Sequence, residues 1–351
     1  MLFDIDKKNP QTIAAIDDQG FVITYGQLVE NCKTISNVIP ERELVFCLCE
    51  NSIGSLSGFI SLYENKDVAI LLSASIDREL LHELLLVYRP SFLLIPERFL
   101  DEFAFNKIYR KYGYILCKTG HEACPLYKDL ALLLTTSGST GSPKLVRHRY
   151  GNIEANAKTV AEVFGWTSSE RAICELPMQY SMGLNVISSH LYSGGTVLMV
   201  SQSLASIEFW EFIKKHKGTS FTGVPFSYEI LLKLRFPQMD LPDLTTIAEG
   251  GGKLTDSAFI ALADYAKRNN KRFFATFGTT ETSARMSFLP PDMATIKTGS
   301  IGIPVPGSEM YLEDDCGKII EEANKEGELC YKGPNVTLGY ASCHQDLLKG
   351  D

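Results

Sequence analysis

The 351-residue chain is long enough for one large domain or about two ordinary ones, and 45% apolar with 22% charged residues suits a packed core rather than a disordered tract. A net charge of −8 without a long basic run argues against nucleic acid as a partner. Nine cysteines without regular spacing read as reduced thiols of a cytoplasmic protein, not as a disulfide framework.

The N-terminus MLFDIDKKNP carries Asp4 and Asp6 where a secretion signal would need an apolar run. No stretch reaches the ~20 apolar residues of a membrane span. Residues 12–24 read as two short strands around DDQG. Thr24 then stands as N-cap with Gln27 three residues on, and Leu28, Cys32 and Ile35 continue at helical spacing. ELVFCLC is a strand, 53–64 a helix, DVAILLSA a strand, 77–88 an amphipathic helix and SFLLIP a strand. Cys117, His121 and Cys124 are ligand-like residue types, but no fourth ligand lies near, so no metal site is read there. TVLMVSQ (196–202), a helix over 207–217 and TSFTGVP (219–225) extend the alternation, which predicts an α/β fold with covered sheets. From about residue 285 glycine, proline and short β-type runs take over. The expected organisation is an α/β body over 1–285 and a mostly β, barrel-like part over 286–351.

The most unusual stretch is LLTTSGSTGSPKLVRH, residues 133–148. Gly138 and Gly141 can adopt positive φ and turn backbone N–H groups toward one point, an arrangement that binds anions. Thr136, Ser137, Ser139 and Thr140 add hydroxyl donors, and Lys144 adds a mobile positive charge. Such groups suit a polyphosphate. A P-loop is excluded, because the glycines are three apart and Pro143 precedes the lysine. Taken alone, the stretch reads equally well as a flexible surface loop. Further on, ATFGTTETS (275–283) offers Phe277 as a flat face for a base, Gly278, the hydroxyls of Thr279 and Thr280, and Glu281 as a hard oxygen ligand for Mg²⁺. AEGGGKL (248–254) places Gly250, Gly251 and Gly252 in a row, where backbone can lie flat against a ligand.

TSGSTGSPK resembles the phosphate-binding signature of the adenylate-forming superfamily: acyl- and aryl-CoA synthetases, peptide-synthetase adenylation domains and luciferases. Its motif style is that of AMP-dependent acyl-CoA synthetases. Phe277–Glu281 resembles the family's aromatic-G-x-T-E motif, and the triple glycine its G-G-x-x-L segment. TGSIGIPVPG and GELCYKGPNVTLGY resemble two segments with mainly structural roles. The resemblance implies the large N-terminal domain of that fold: helix-flanked β-sheets with a small β-barrel subdomain. It implies Thr280 on the α-phosphate, Lys144 and the loop 136–144 on the leaving phosphates, Glu281 on Mg²⁺, and Asp351 on the ribose hydroxyls. In LPMQYSMGLNVISSHLYSGGTV (176–197), Tyr180 stands where acyl-CoA synthetases carry a histidine. Gly183 and Leu184 follow it along the acid pocket, with Phe221 and Val224 opposite. No Asp or Glu lies between Pro177 and Ser206 to pair a substrate ammonium, which disfavours an α-amino acid.

The implied reaction is attack of a carboxylate on ATP to give acyl-adenylate and pyrophosphate. Transfer to a thiol of CoA or of carrier-protein phosphopantetheine follows, so the expected partners are a small carboxylic acid and an acyl carrier protein. A nucleotide-sensing module without turnover is the alternative. The family's small C-terminal domain follows the ribose aspartate and has no counterpart within 1–351. The sequence stops mid-motif at LLKGD, as a truncated chain would, and such a chain is expected to bind nucleotide yet react slowly.

Overall fold

The computed structural model describes residues 1–103, 105–136 and 144–350. It opens with the antiparallel pair β1 (Ile13–Asp17) and β2 (Val22–Thr24), followed by α1 (Tyr25–Val38). The expected capping box starts α1: the Gln27 N–H donates to Thr24 Oγ1 at 3.2 Å, and the Thr24 N–H to Gln27 Oε1 at 2.9 Å. Next come β3 (Leu44–Cys49), α2 (Ile53–Glu64), β4 (Val68–Ser73), α3 (Arg78–Tyr88) and β5 (Phe92–Pro96). The hairpin β6 (Asn106–Lys111) and β7 (Tyr114–Lys118) leads to β8 (Leu130–Thr135) and β9 (Leu145–Arg149).

The second half alternates α4 (Asn152–Phe164), β10 (Arg171–Cys174), α5 (Ser181–Ser193), β11 (Thr196–Met199) and α6 (Ile207–Lys215). It continues with β12 (Ser220–Gly223), α7 (Pro225–Lys233), β13 (Thr246–Glu249), α8 (Asp256–Arg268) and β14 (Arg272–Phe277). The short strands β15 (Ser287–Leu289), β16 (Ile303–Pro304), β17 (Glu309–Glu313), β18 (Glu328–Lys332) and β19 (Tyr340–Ala341) close the chain. The hairpin β6–β7 and helices α4, α5 and α8 are additional to the elements read from sequence.

Two large sheets form. One has the order β19-β9-β8-β4-β3-β5-β7-β6, the other β16-β15-β14-β13-β12-β10-β11-β1-β2. Between them lies a layer of helices that includes α1, α2 and α5, with Val45 and Cys47 of β3 on one side and Ala172 and Cys174 of β10 on the other. Helix α3 covers the outer face of the first sheet, and α6, α7 and α8 cover the outer face of the second. Strands buried on both faces explain the unbroken apolar run LVFCLC: Val45 and Cys47 point to the middle layer, Leu44 and Phe46 toward α3. The late strands are shared out. β15 and β16 extend the second sheet, β19 joins the first, and β17 pairs with β18 as a two-stranded ribbon. Among the described residues the ribbon closes no barrel, because its neighbours in sequence pair with edges that β14 and β9 leave open. No described helix is long and apolar enough to cross a membrane.

One feature of the second sheet fixes the site. From β10 the chain runs through α5, in the middle layer, to β11 on one side. It then returns through α6, on the outer face, to β12 on the other side. Connections that leave a parallel sheet in opposite directions open a crevice beyond the strands' carboxyl ends.

Candidate functional site

That crevice is a cleft of about 740 Å³. Its walls directly follow the parallel strands: Leu176 and Pro177 after β10, Val224 and Pro225 after β12, Gly251 after β13, and Gly278 to Glu281 after β14. Thr136 reaches it from the end of β8 in the other sheet. Helices α5 and α7 both begin here, and among the described residues neither has a side-chain N-cap. Their first-turn N–H groups and positive dipole ends therefore favour an anion in the cleft. A second cavity of about 410 Å³ shares Gly251 and Gly278 with the first and adds Phe277, Gly252, Glu249 and Phe259.

The glycines are steric requirements. A methyl on Gly278 would lie 1.6 Å from the Ala284 carbonyl oxygen, and one on Gly250 would lie 2.6 Å from both the Met182 methyl and Thr276 Oγ1. Opposite Gly278 the returning loop holds two non-glycine residues at positive φ, Ser283 (55°) and Ala284 (104°). Such conformations cost about 1–3 kcal/mol each, so the loop needs support. The segment after β18 supplies it. The Thr337 N–H donates to Glu281 O at 3.0 Å, Ser283 Oγ donates to Asn335 O at 3.0 Å, and Asn335 Nδ2 donates to Thr282 O at 2.6 Å.

The polar groups at the cleft form a connected series. Ser181 Oγ and Thr280 Oγ1 are 3.4 Å apart. The Tyr340 hydroxyl donates to Glu281 Oε1 at 2.7 Å, and this bond to a carboxylate raises the phenol above its usual range. The Lys144 ammonium sits over the Tyr340 ring, 3.5 Å from its centroid. A single tyrosine thus joins the lysine that ends the Ser/Thr/Gly loop to the glutamate at the cleft. In the smaller cavity, burial pushes the Glu249 carboxyl up to about 8.

The AMP-binding enzyme family model matches residues 2–341. The chain belongs to the AMP-binding enzyme family. It is 32% identical over 217 residues to the oxalate–CoA ligase of Arabidopsis thaliana, covering 60% of this chain and 41% of that protein. It is 30% identical over 223 residues to the 2-succinylbenzoate–CoA ligase of Bacillus velezensis, covering 62% of this chain and 43% of the relative. The chain thus spans under half the length of these curated relatives. In fold it is similar to o-succinylbenzoate coenzyme A synthetase from Bacillus subtilis in complex with AMP. That match has a TM-score of 0.77 at 23% identity and covers 97% of this chain and 70% of that one.

Of the positions expected at the site of an AMP-binding enzyme, Thr136, Tyr180, Gly183 and Val224 border the larger cleft together with Gly251 and Gly278 to Glu281. Gly252 and Phe277 border the smaller cavity. Gly250 is packed beneath, between Met182 and Thr276. Leu184 and Phe221 are not at either opening. Leu184 is buried in the middle layer, and Phe221 packs edge-on against Tyr228 in the outer core, with ring centroids 5.8 Å apart. Their chain neighbours border the cleft, but the side chains point into the packing on either side of the sheet.

Ser137, Gly138, Ser139, Thr140, Gly141 and Asp351 lie outside the described residues. The chain up to Gly350 is nevertheless fastened to β9. Arg147 on β9 donates to the carbonyls of Asp346 at 3.1 Å, Lys349 at 2.5 Å and Gly350 at 3.4 Å. Tyr340, Ser181 and Glu249 are additional to the expected set. Glu249 has a sequence signal: a carboxylate ends the otherwise uncharged strand TIAE directly before three glycines. Tyr340 has none, because its contacts join residues 59 and 196 positions away.

Proposed function

We propose that this cleft is where an AMP-forming acid–thiol ligase activates a carboxylic acid. The carrying observation is the meeting of two cavities at Gly251 and Gly278. One is fitted with an aromatic face, and the other with hydroxyls, a carboxylate and two uncapped helix starts. On this reading adenine lies against Phe277 and the backbone of Gly250 to Gly252. The phosphates extend past Thr280 toward Lys144 and the loop 136–144, and the acid enters between Tyr180, Gly183 and Val224. A carboxylate oxygen attacks the α-phosphorus, the bond to the β-phosphate oxygen breaks, and acyl-adenylate and pyrophosphate result. The protein's contribution is positioning and stabilisation of charge rather than a covalent intermediate.

Glu281 and Thr280 present hard oxygen donors side by side at the cleft and fit Mg²⁺, which takes few protein ligands and completes its shell with phosphate oxygens and water. When bound, the ion would neutralise phosphate charge. Tyr340 would meanwhile hold one Glu281 oxygen, and Thr280 would donate to the α-phosphate. The acyl group then passes to a thiol, of CoA or of carrier-protein phosphopantetheine, with release of AMP. CoA is the acceptor in the printed names of the relatives. The nine unpaired cysteines suit a reducing compartment such as the cytoplasm.

The test is a panel of carboxylic acids, including oxalate, 2-succinylbenzoate and fatty acids, incubated with ATP and Mg²⁺ and assayed for acyl-adenylate by mass spectrometry. One acid or a related group should give adenylate. Tight ATP binding with no adenylate from any acid would contradict ligation and favour nucleotide sensing.

A further inference from the structure

Glu249 is a charged residue type buried at the end of an otherwise uncharged strand. It ends β13, pairs in register with Ala275 of β14, and shares the outer face of the sheet with Ile247, Phe273 and Ala275. Phe277 follows Ala275 on that same face, since side chains two apart along a strand share a side. Glu249 is only 6% exposed, it lines the 410 Å³ cavity beside Phe277, and its Oε2 has no hydrogen-bond partner among the described residues. A buried carboxyl oxygen without a partner forfeits the hydrogen bonds it would make in water. An apolar residue would pack here without that cost, so the carboxyl is explained best by something that enters the cavity.

We infer that Glu249 reads the edge of the base that stacks on Phe277, selecting an adenine by its 6-amino group. This rests on the reading of the cavity as the nucleotide site. A neutral carboxyl has one O–H donor and one carbonyl acceptor on adjacent atoms. Adenine presents the complementary pair: the 6-amino group donates, and the ring nitrogen beside it accepts. The cavity keeps the carboxyl in that neutral form near pH 7, since burial alone raises it to about 8. The ionisable neighbours are few. Tyr228 from α7 has its hydroxyl committed to Ala248 O at 2.7 Å, with Glu175 beyond it bonded to Ser227 Oγ at 2.5 Å. Lys253 lines the same cavity from the glycine loop, while Phe259 of α8 and Thr276 and Phe277 of β14 bring no charge.

The experiment is calorimetric titration of AMP and of purine riboside 5′-monophosphate, which lacks the 6-amino group. The proteins are the parent chain, Glu249→Gln, Glu249→Leu and Phe277→Ala, between pH 6.5 and 9. The parent should prefer AMP by roughly tenfold, as a good two-point contact to a base edge provides, and bind both nucleotides more weakly as pH rises past about 8, where the carboxyl loses the proton it donates to the ring nitrogen. Glu249→Gln offers the same donor and acceptor without titrating, so it should keep both its preference and its affinity across that range. Glu249→Leu should bind the two nucleotides within twofold of each other. AMP binding that falls with Phe277→Ala, while the preference is the same in all Glu249 variants, overturns this inference and leaves the site standing. Absence of AMP binding by the parent overturns both. Should Glu249→Leu fail to fold, the parent and Glu249→Gln still decide: identical pH profiles would refute the role.

Discussion

The two sheets are built alike and used differently. Each has parallel strands at its centre and helices on both faces, and each is closed off by antiparallel strands at its edges. Yet the second sheet supplies nearly every wall of the two cavities, while the first lends only Thr136, at the end of β8, among the described residues. The order of crossings is the same in both: β3, like β10, has its neighbours joined through one helix in the middle layer and one on the outer face. The difference lies in how the strands end, which beside β10 is through glycine and proline into helices α5 and α7 without side-chain N-caps among the described residues. In the first sheet the same kind of strands end in ordinary helix caps: Ser52 accepts from Ser55 N–H at 3.4 Å before α2, and Asp77 from Glu79 N–H at 3.0 Å before α3. Parallel β structure makes the scaffold in both halves, and glycine-rich strand ends with uncapped helix starts turn one of them into a site.

A substitution in the scaffold sheet should therefore move stability and leave binding alone. Leu71 on β4 is fully buried in the middle layer. Leu71→Ala should cost about 2–5 kcal/mol in a denaturant titration, with AMP affinity of the folded protein unchanged. A comparable loss of affinity would show that the first sheet is coupled to the site. The converse case is Glu281→Gln, which should melt like the parent yet slow Mg²⁺-dependent adenylate formation by ~10²–10³. That rate is measured with whichever acid the panel identifies. A variant within threefold of the parent at saturating Mg²⁺ would place the metal elsewhere.

Phe277→Ala should weaken AMP binding by ~1–3 kcal/mol, as loss of an aromatic face to a base does, with little change in melting. Unchanged affinity in calorimetry would remove Phe277 from the nucleotide site. The smallest effect belongs to Tyr340→Phe, which keeps the ring under Lys144 and removes only the hydroxyl bonded to Glu281. Its half-exposed position limits the loss to about 1 kcal/mol, read as a rise of roughly fivefold in the Mg²⁺ concentration needed for half-maximal rate. An unaltered Mg²⁺ dependence would reduce Tyr340 to a packing role.

Much of this was legible from sequence because it is local. The Thr24–Gln27 capping box, the unbroken apolar run of β3 and the shift to short β segments after residue 285 each declare themselves within a few residues. So do the glycines beside Phe277 and the TTE triplet, whose steric and chemical needs are met by near neighbours. What could not be read depends on distant packing. Leu184 and Phe221 sit beside cleft residues in sequence but face the core, because which face of β12 or α5 meets the opening is settled by the layers on either side. Tyr340 meets Lys144 because β19 pairs with β9, and Glu281 because the Thr337 N–H bonds to the Glu281 carbonyl. The missing partner of Glu249 is likewise a property of the folded cavity. A strand ending in a carboxylate can equally well turn that group to solvent.

The most direct measurement is a crystal structure of this chain with AMP. The base should lie against Phe277 beyond the carboxyl ends of β13 and β14, with the phosphate directed past Thr280 into the larger cleft. AMP bound elsewhere on the molecule, or crystals grown at saturating AMP with both cavities empty of it, would contradict the assignment of the site to the carboxyl ends of the second sheet's strands.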